Sequence, residues 1–149
     1  NIIVMSEGEV VQAGTPKELF ERPNTTFVGY FIGSPAMNLF ETEASSDNSV
    51  KINNSIIKTN TNLTNLKNRK IKLGVRSEFI KIADNQKDNL IDVNVDKIED
   101  FGNYKLLTAK MGDLTIKSKI NRDTEVPSSN LRLHIPAEKC CVYDNEKLV

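Results

Sequence analysis

The chain has 149 residues, 38% hydrophobic and 27% charged, and its 20 basic side chains balance 20 acidic ones. That length accommodates one domain, or one small domain with an appendage, and the apolar content suffices for a core. Zero formal net charge argues against a nucleic-acid partner, which selects for basic excess, and no apolar run is long enough to span a bilayer as a helix.

Asn1 is followed directly by Ile2-Ile-Val4, residues suited to the inside of a strand, as expected of a piece of a longer protein. Ile2–Met5 and Val10–Ala13 flank Ser6-Glu-Gly-Glu9 and predict a hairpin with glycine in its turn. Thr15, Pro16 and Glu18 then form a capping box with proline at the first helical position, where its missing N–H costs nothing. Pro23 ends that helix, because the residue before proline avoids the α region. A second short helix carries Phe27, Tyr30 and Phe31 on one face, needs a surface to cover them, and stops at Gly33-Ser-Pro35.

Gly14-Thr-Pro-x-Glu-Leu-Phe-x-x-Pro23, followed by Phe27-Val-x-x-Phe-Ile-Gly-Ser-Pro-x-Met-Asn38, resembles the exit from the ATP-binding subunit of carbohydrate-type ABC importers. The resemblance is dense over residues 2–40 and thinner beyond. Gly29-Tyr30 stands where the family usually has two small residues. It implies that residues 1–40 are the last part of a nucleotide-binding domain, and that 41–149 form a regulatory domain of the TOBE type. The family's switch histidine would lie upstream of Asn1. The chain has no P-loop, no Leu-Ser-Gly-Gly-Gln signature and no acidic Walker B strand, so nothing in it would position a phosphate or Mg²⁺. We therefore expect no catalytic residue, no bound cofactor and no metal in this chain, with ATP and Mg²⁺ belonging to the parent protein.

From Pro35 onward the pattern turns to β. Met37–Ala44 reads as an extended connection, and Val50–Ile52 and Ile56-Ile57 as short strands around Asn53-Asn54. Thr59–Asn65 reads as a polar loop. The basic cluster from Lys67 to Lys72 reads as a solvated face. Ile71–Val75 is a strand closing in Arg76-Ser-Glu78, which resembles the family's Gly-Ile-Arg-Pro-Glu motif with Ser77 in place of proline. Arg76 and Glu78 fall on one side of an extended backbone and are candidates for an inter-subunit or inter-domain contact, or for a surface ion pair. Ile91–Val95, Ile98–Phe101, Tyr104–Met111 and Leu114–Ile120 predict a three-strand meander with turns at Gly102-Asn103 and Gly112-Asp113. Leu131–Ile135 is a further strand bearing the lone histidine, His134, as an ordinary strand side chain. Cys140 and Cys141 are adjacent, point to opposite faces, and suit a reducing compartment better than a disulfide or metal site. Phe79, Phe101, Tyr104 and Tyr143 stand singly, unlike the stacking platform of a nucleic-acid-binding barrel.

The expected fold is mainly β: an OB-like barrel preceded by a hairpin and two short helices. By resemblance, the chain is the C-terminal regulatory and dimerisation part of an ATP-binding subunit importing sugars or related solutes. Its implied partners are a second copy through the barrel, the parent's permease subunits, and a small effector or regulatory protein. Its implied location is the cytoplasmic face of the membrane. Arg76, Glu78, Gly102 and Asn103 are the candidate interface or regulatory residues. The alternative is a module binding a small oxyanion or metabolite, for which Thr115, Lys117 and Ser118 are available.

Overall fold

The computed structural model describes residues 1–149. β1 (Ile2–Ser6) and β2 (Glu9–Gly14) form an antiparallel hairpin. Glu7 and Gly8, at φ 52° and 81°, make the two-residue turn whose twist suits right-twisted strands. α1 (Pro16–Glu21) starts as the sequence predicts. The Glu18 N–H donates to the Thr15 hydroxyl at 3.2 Å, and the Thr15 N–H donates to the Glu18 carboxylate at 2.8 Å.

α2 (Thr26–Phe31) is capped by the Thr25 hydroxyl, which accepts from the Val28 N–H. Its buried residues are Thr26, Val28 and Gly29, and Val28 joins Val4 and Leu19 in a small apolar cluster. The aromatic face is thus left outward, with Phe27, Tyr30 and Phe31 at 43%, 70% and 65% exposure. Close packing at Gly29 fixes this orientation: a Cβ there would lie 3.1 Å from the Met37 sulfur and 3.2 Å from the Pro23 ring. Only the first of the two family positions therefore needs a small residue, and Tyr30 is free to be large.

Two antiparallel sheets follow. One is six-stranded, in the order β13 (Lys147–Leu148), β12 (Cys141–Asp144), β6 (Lys70–Val75), β3 (Asn38–Ala44), β4 (Ser49–Ile52), β5 (Ser55–Lys58). The other is five-stranded, in the order β10 (Leu114–Asn121), β9 (Tyr104–Met111), β8 (Leu90–Asp100), β11 (Leu131–His134), β7 (Lys81–Ile82). The inner faces meet in one core, with Phe40, Val50, Leu73, Val75 and Val142 facing Ile91, Leu107, Ala109, Ile116 and Leu133. This is the expected mainly β, OB-like barrel.

Two buried asparagines stitch the sheets together at opposite seams. The Asn38 side chain accepts from the Lys117 N–H at 2.9 Å and donates to the carbonyls of Lys117 and Val75. Asn89 accepts from the Lys58 N–H and donates to the carbonyls of Lys58 and Ile135, each at 2.8 Å. Each amide stands in for a strand's own backbone where the ladder runs out.

One expectation changes. Met37–Ala44 is not a mere connection: β3 is a central strand, paired with both β4 and β6, because Phe40 and its neighbours have a core to enter. The polar run 59–65 is a loop as expected, anchored by buried Leu63 and leading into a short 3-10 turn at Thr64–Leu66. Ile91–Val95 and Ile98–Asp100 lie on one strand, β8, the first of the predicted meander, and its register shifts in a bulge between Val95 and Lys97.

Candidate functional site

β6 sends Ile71, Leu73 and Val75 into the core, and the next residue leaves the strand towards the helices. That residue is Arg76, 1% exposed. Its Nε donates to the Phe20 carbonyl at 2.8 Å, and its Nη1 to those of Gly29 and Ile32 at 2.9 and 2.5 Å. The guanidinium lies 4.4 Å from the centroid of the Phe20 ring. One side chain therefore supplies donors at the C-terminal ends of both α1 and α2, where helix carbonyls lack partners within the helix. Gly33 makes room: it adopts φ 101°, and a Cβ there would sit 2.9 Å from Nη1. Burial draws the Arg76 pKa below the usual guanidinium value, an effect that the Glu78 carboxylate opposes.

The C-terminal strands grip the same helices from the other side. The buried Tyr143 hydroxyl donates to the Pro23 carbonyl at 2.7 Å, and the Cys141 thiol points at the Glu21 carbonyl, 3.4 Å away. β13 extends its pairing to residues 24–26: the Thr26 N–H donates to the Glu146 carbonyl, the Leu148 N–H donates to the Asn24 carbonyl, and Thr25 bridges Lys147. The Thr26 hydroxyl donates to the Glu146 carboxylate, whose other oxygen accepts from the Lys72 ammonium at 2.7 Å. Hydrogen bonds from Lys72 and Thr26 hold the Glu146 carboxyl below the usual carboxylate value. Burial pushes the Cys140 thiol up to about 12 and also raises Cys141 and Tyr143. Both cysteines are free and buried, on opposite faces as expected, one in the barrel core and one against Met37 and Tyr143. A protonated, enclosed thiol is a packing residue, not a nucleophile.

The candidate interface residues separate. Arg76 is not exposed, because the helix ends enclose it. Glu78 is half-buried, and Gly102 and Asn103 are exposed at the tip of the β8–β9 turn. Beside that turn Phe101 and Tyr104 stack at 5.1 Å, so these two aromatics are not single as expected. Lys119 lies between the two stretches: its N–H donates to the Ser77 carbonyl at 2.9 Å, and its ammonium sits 4.2 Å from the Tyr104 ring centroid. Thr115, Lys117 and Ser118 do not converge on a common point, since Ser118 is sealed inside, donating to the Ile80 carbonyl, while Thr115 faces solvent. Of the basic cluster, Lys67, Arg69 and Lys72 pair with Asp47, Asp144 and Glu146 at 2.9, 3.0 and 2.7 Å. No group of three or more His, Cys, Asp or Glu side chains stands close enough to hold a metal ion. Asn38, Asn89, Tyr143 and Glu146 escape sequence reasoning, because a side chain that replaces a backbone partner leaves no periodic signal.

Residues 33–80 match the family model described as "MalK OB fold domain". The chain is 31% identical over 97% of its length to the sn-glycerol-3-phosphate import ATP-binding protein UgpC of Salmonella paratyphi A. It is 30% identical over 96% of its length to UgpC 2 of Agrobacterium fabrum. The chain spans about two fifths of the length of these curated relatives, 41% and 39% respectively. A solved structure of the cytoplasmic molybdate-binding protein ModG, with molybdate bound, superposes with a TM-score of 0.58. That superposition covers 71% of this chain and 94% of ModG at 11% identity, a likeness of fold alone.

Proposed function

From its kinship with the ATP-binding subunits of ABC importers, we propose that this chain is the regulatory and dimerisation part of such a subunit, serving import of sugars or glycerol phosphates. The observation that carries this is the alignment with UgpC proteins along nearly the whole chain, through helices and barrel alike. In this reading residues 1–40 complete a nucleotide-binding domain that supplies ATP and Mg²⁺ chemistry from elsewhere in the parent, and 41–149 form the regulatory barrel. The outward Phe27, Tyr30 and Phe31 are the surface that the nucleotide-binding domain covers. The barrel pairs with a second copy, so that the two ATPase halves stay together while their nucleotide domains open and close. Such a tether raises the effective concentration of one half for the other and leaves the chemistry untouched. The parent lies on the cytoplasmic face of the membrane with its permease subunits, and Glu78, Gly102 and Asn103 are the barrel residues offered to a regulatory protein or small effector.

The test uses the longer subunit. Substituting Asn103 and Glu78 changes how effectors modulate ATP hydrolysis and transport, and leaves nucleotide binding intact. Loss of nucleotide binding in these variants, or unaltered modulation, contradicts the regulatory assignment.

The second reading, capture of a small oxyanion, draws on the fold shared with ModG. It requires molybdate, tungstate or sulfate at millimolar concentration to raise the melting midpoint, since a ligand bound only by the native state stabilises it. The scattered positions of Thr115, Lys117 and Ser118 favour no shift.

A further inference from the structure

α2 is six residues long, Thr-Phe-Val-Gly-Tyr-Phe, and carries no charged side chain. A helix this short does not persist in water by itself. The barrel holds it at both ends with opposite charges. At its first turn the Glu146 carboxylate accepts from the Thr26 hydroxyl, and at its last the Arg76 guanidinium donates to the carbonyls of Gly29 and Ile32. Acid at a helix start and base at its end is the favourable polarity.

The acidic end stands on a backbone that a glutamate rarely adopts. Asn145 and Glu146 form the β12–β13 turn at φ 50° and 66°. Glycine holds that geometry without strain, so the carboxylate is what the position retains. Lys72, from the neighbouring strand β6, completes the arrangement by fixing the second carboxylate oxygen at 2.7 Å.

We propose that Arg76 and Glu146 are positioning residues through which the barrel grips α2 at both ends and so sets the presentation of its outward face, Phe27, Tyr30 and Phe31. The β12–β13 hairpin acts as a strap, and a ligand or partner that shifts this hairpin shifts the aromatic face with it. The grip is a property of the chain itself. It stands or falls independently of the transporter assignment, which only supplies what the face meets.

Amide hydrogen exchange of the 149-residue chain tests it, read at the Gly29 and Ile32 amides that close α2 and at Leu73 and Leu107 in the barrel. Glu146→Gln and Thr26→Val each accelerate exchange at Gly29 and Ile32 by about five- to tenfold while the barrel amides hold. Thr26→Ser, which keeps the hydroxyl, restores the wild-type rate. Glu146→Gly also accelerates exchange although it relaxes the turn, and Glu146→Gln combined with Thr26→Val is no faster than either alone. Arg76→Lys keeps the charge, loses the fork and loosens the same amides. Slower or unchanged exchange in Glu146→Gly overturns the proposal, as does a rise shared equally by the barrel amides, or full additivity in the double variant. The variants at exposed Glu146 decide the matter even where a variant at buried Arg76 or Thr26 does not fold.

Discussion

Arg76 and Asn89 show how much of this molecule rests on single polar side chains placed where backbone partners run out. Asn89 satisfies two carbonyls and one N–H between β5, β8 and the end of β11. Asn89→Ala leaves these groups buried without a partner, and stability falls by about 1–3 kcal/mol in chemical denaturation. Arg76→Met removes donors from three carbonyls and leaves a comparable gap, with a loss of about 3 kcal/mol expected and part of it localised to the helices. Asn89's role is not visible in the sequence, and at Arg76 the sequence suggests a contact between parts of the protein without showing its partners. An arginine after an alternating strand reads as surface, and only the helix ends that fold back over it make it internal.

Elements were more legible than residues, in proportion to how local their causes are. The capping box at Thr15, the hairpin turns and the meander are written within a few residues, and all of them form. Thr15→Ala therefore lowers stability by about 0.5–2 kcal/mol, read as a shift in the denaturation midpoint. β3 depends on β6, a partner distant in sequence, so composition near Met37 could not announce it. The face of α2 was likewise undecidable from spacing, because a glycine's need for close approach at Gly29 outweighs three aromatics. Acid sensitivity belongs at this scale too. Hydrogen bonds from Lys72 and Thr26 lower the Glu146 pKa, and those from the Thr15 backbone and hydroxyl lower that of Glu18. The stability each contributes is present above the ordinary carboxylate value of 4.5 and is lost as pH falls through the lowered folded value. Denaturation midpoints followed from neutral to acid pH decline below that value, and Glu146→Gln makes the decline shallower. A Glu146→Gln profile as steep as wild type refutes the assignment.

At the scale of the whole molecule, helices and barrel are knit together by Arg76, Tyr143, Glu146 and the pairing of β13 with residues 24–26. The family resemblance divides the chain at residue 40, shortly after the pattern turns to β at Pro35, yet the division carries no information about what joins the parts. The joint also decides how dimerisation is tested. Deleting residues 1–35 strips the carbonyls from around Arg76, so polar substitution of the outward aromatics is the cleaner control. Native mass spectrometry of the ligand-free chain over a range of concentrations, in wild type and in a Phe27→Ser, Tyr30→Ser, Phe31→Ser variant, addresses the tethering role most directly. A dimer formed through the barrel is expected in both. A monomer at every concentration, or a dimer that disappears with the aromatic face, contradicts the tethering role.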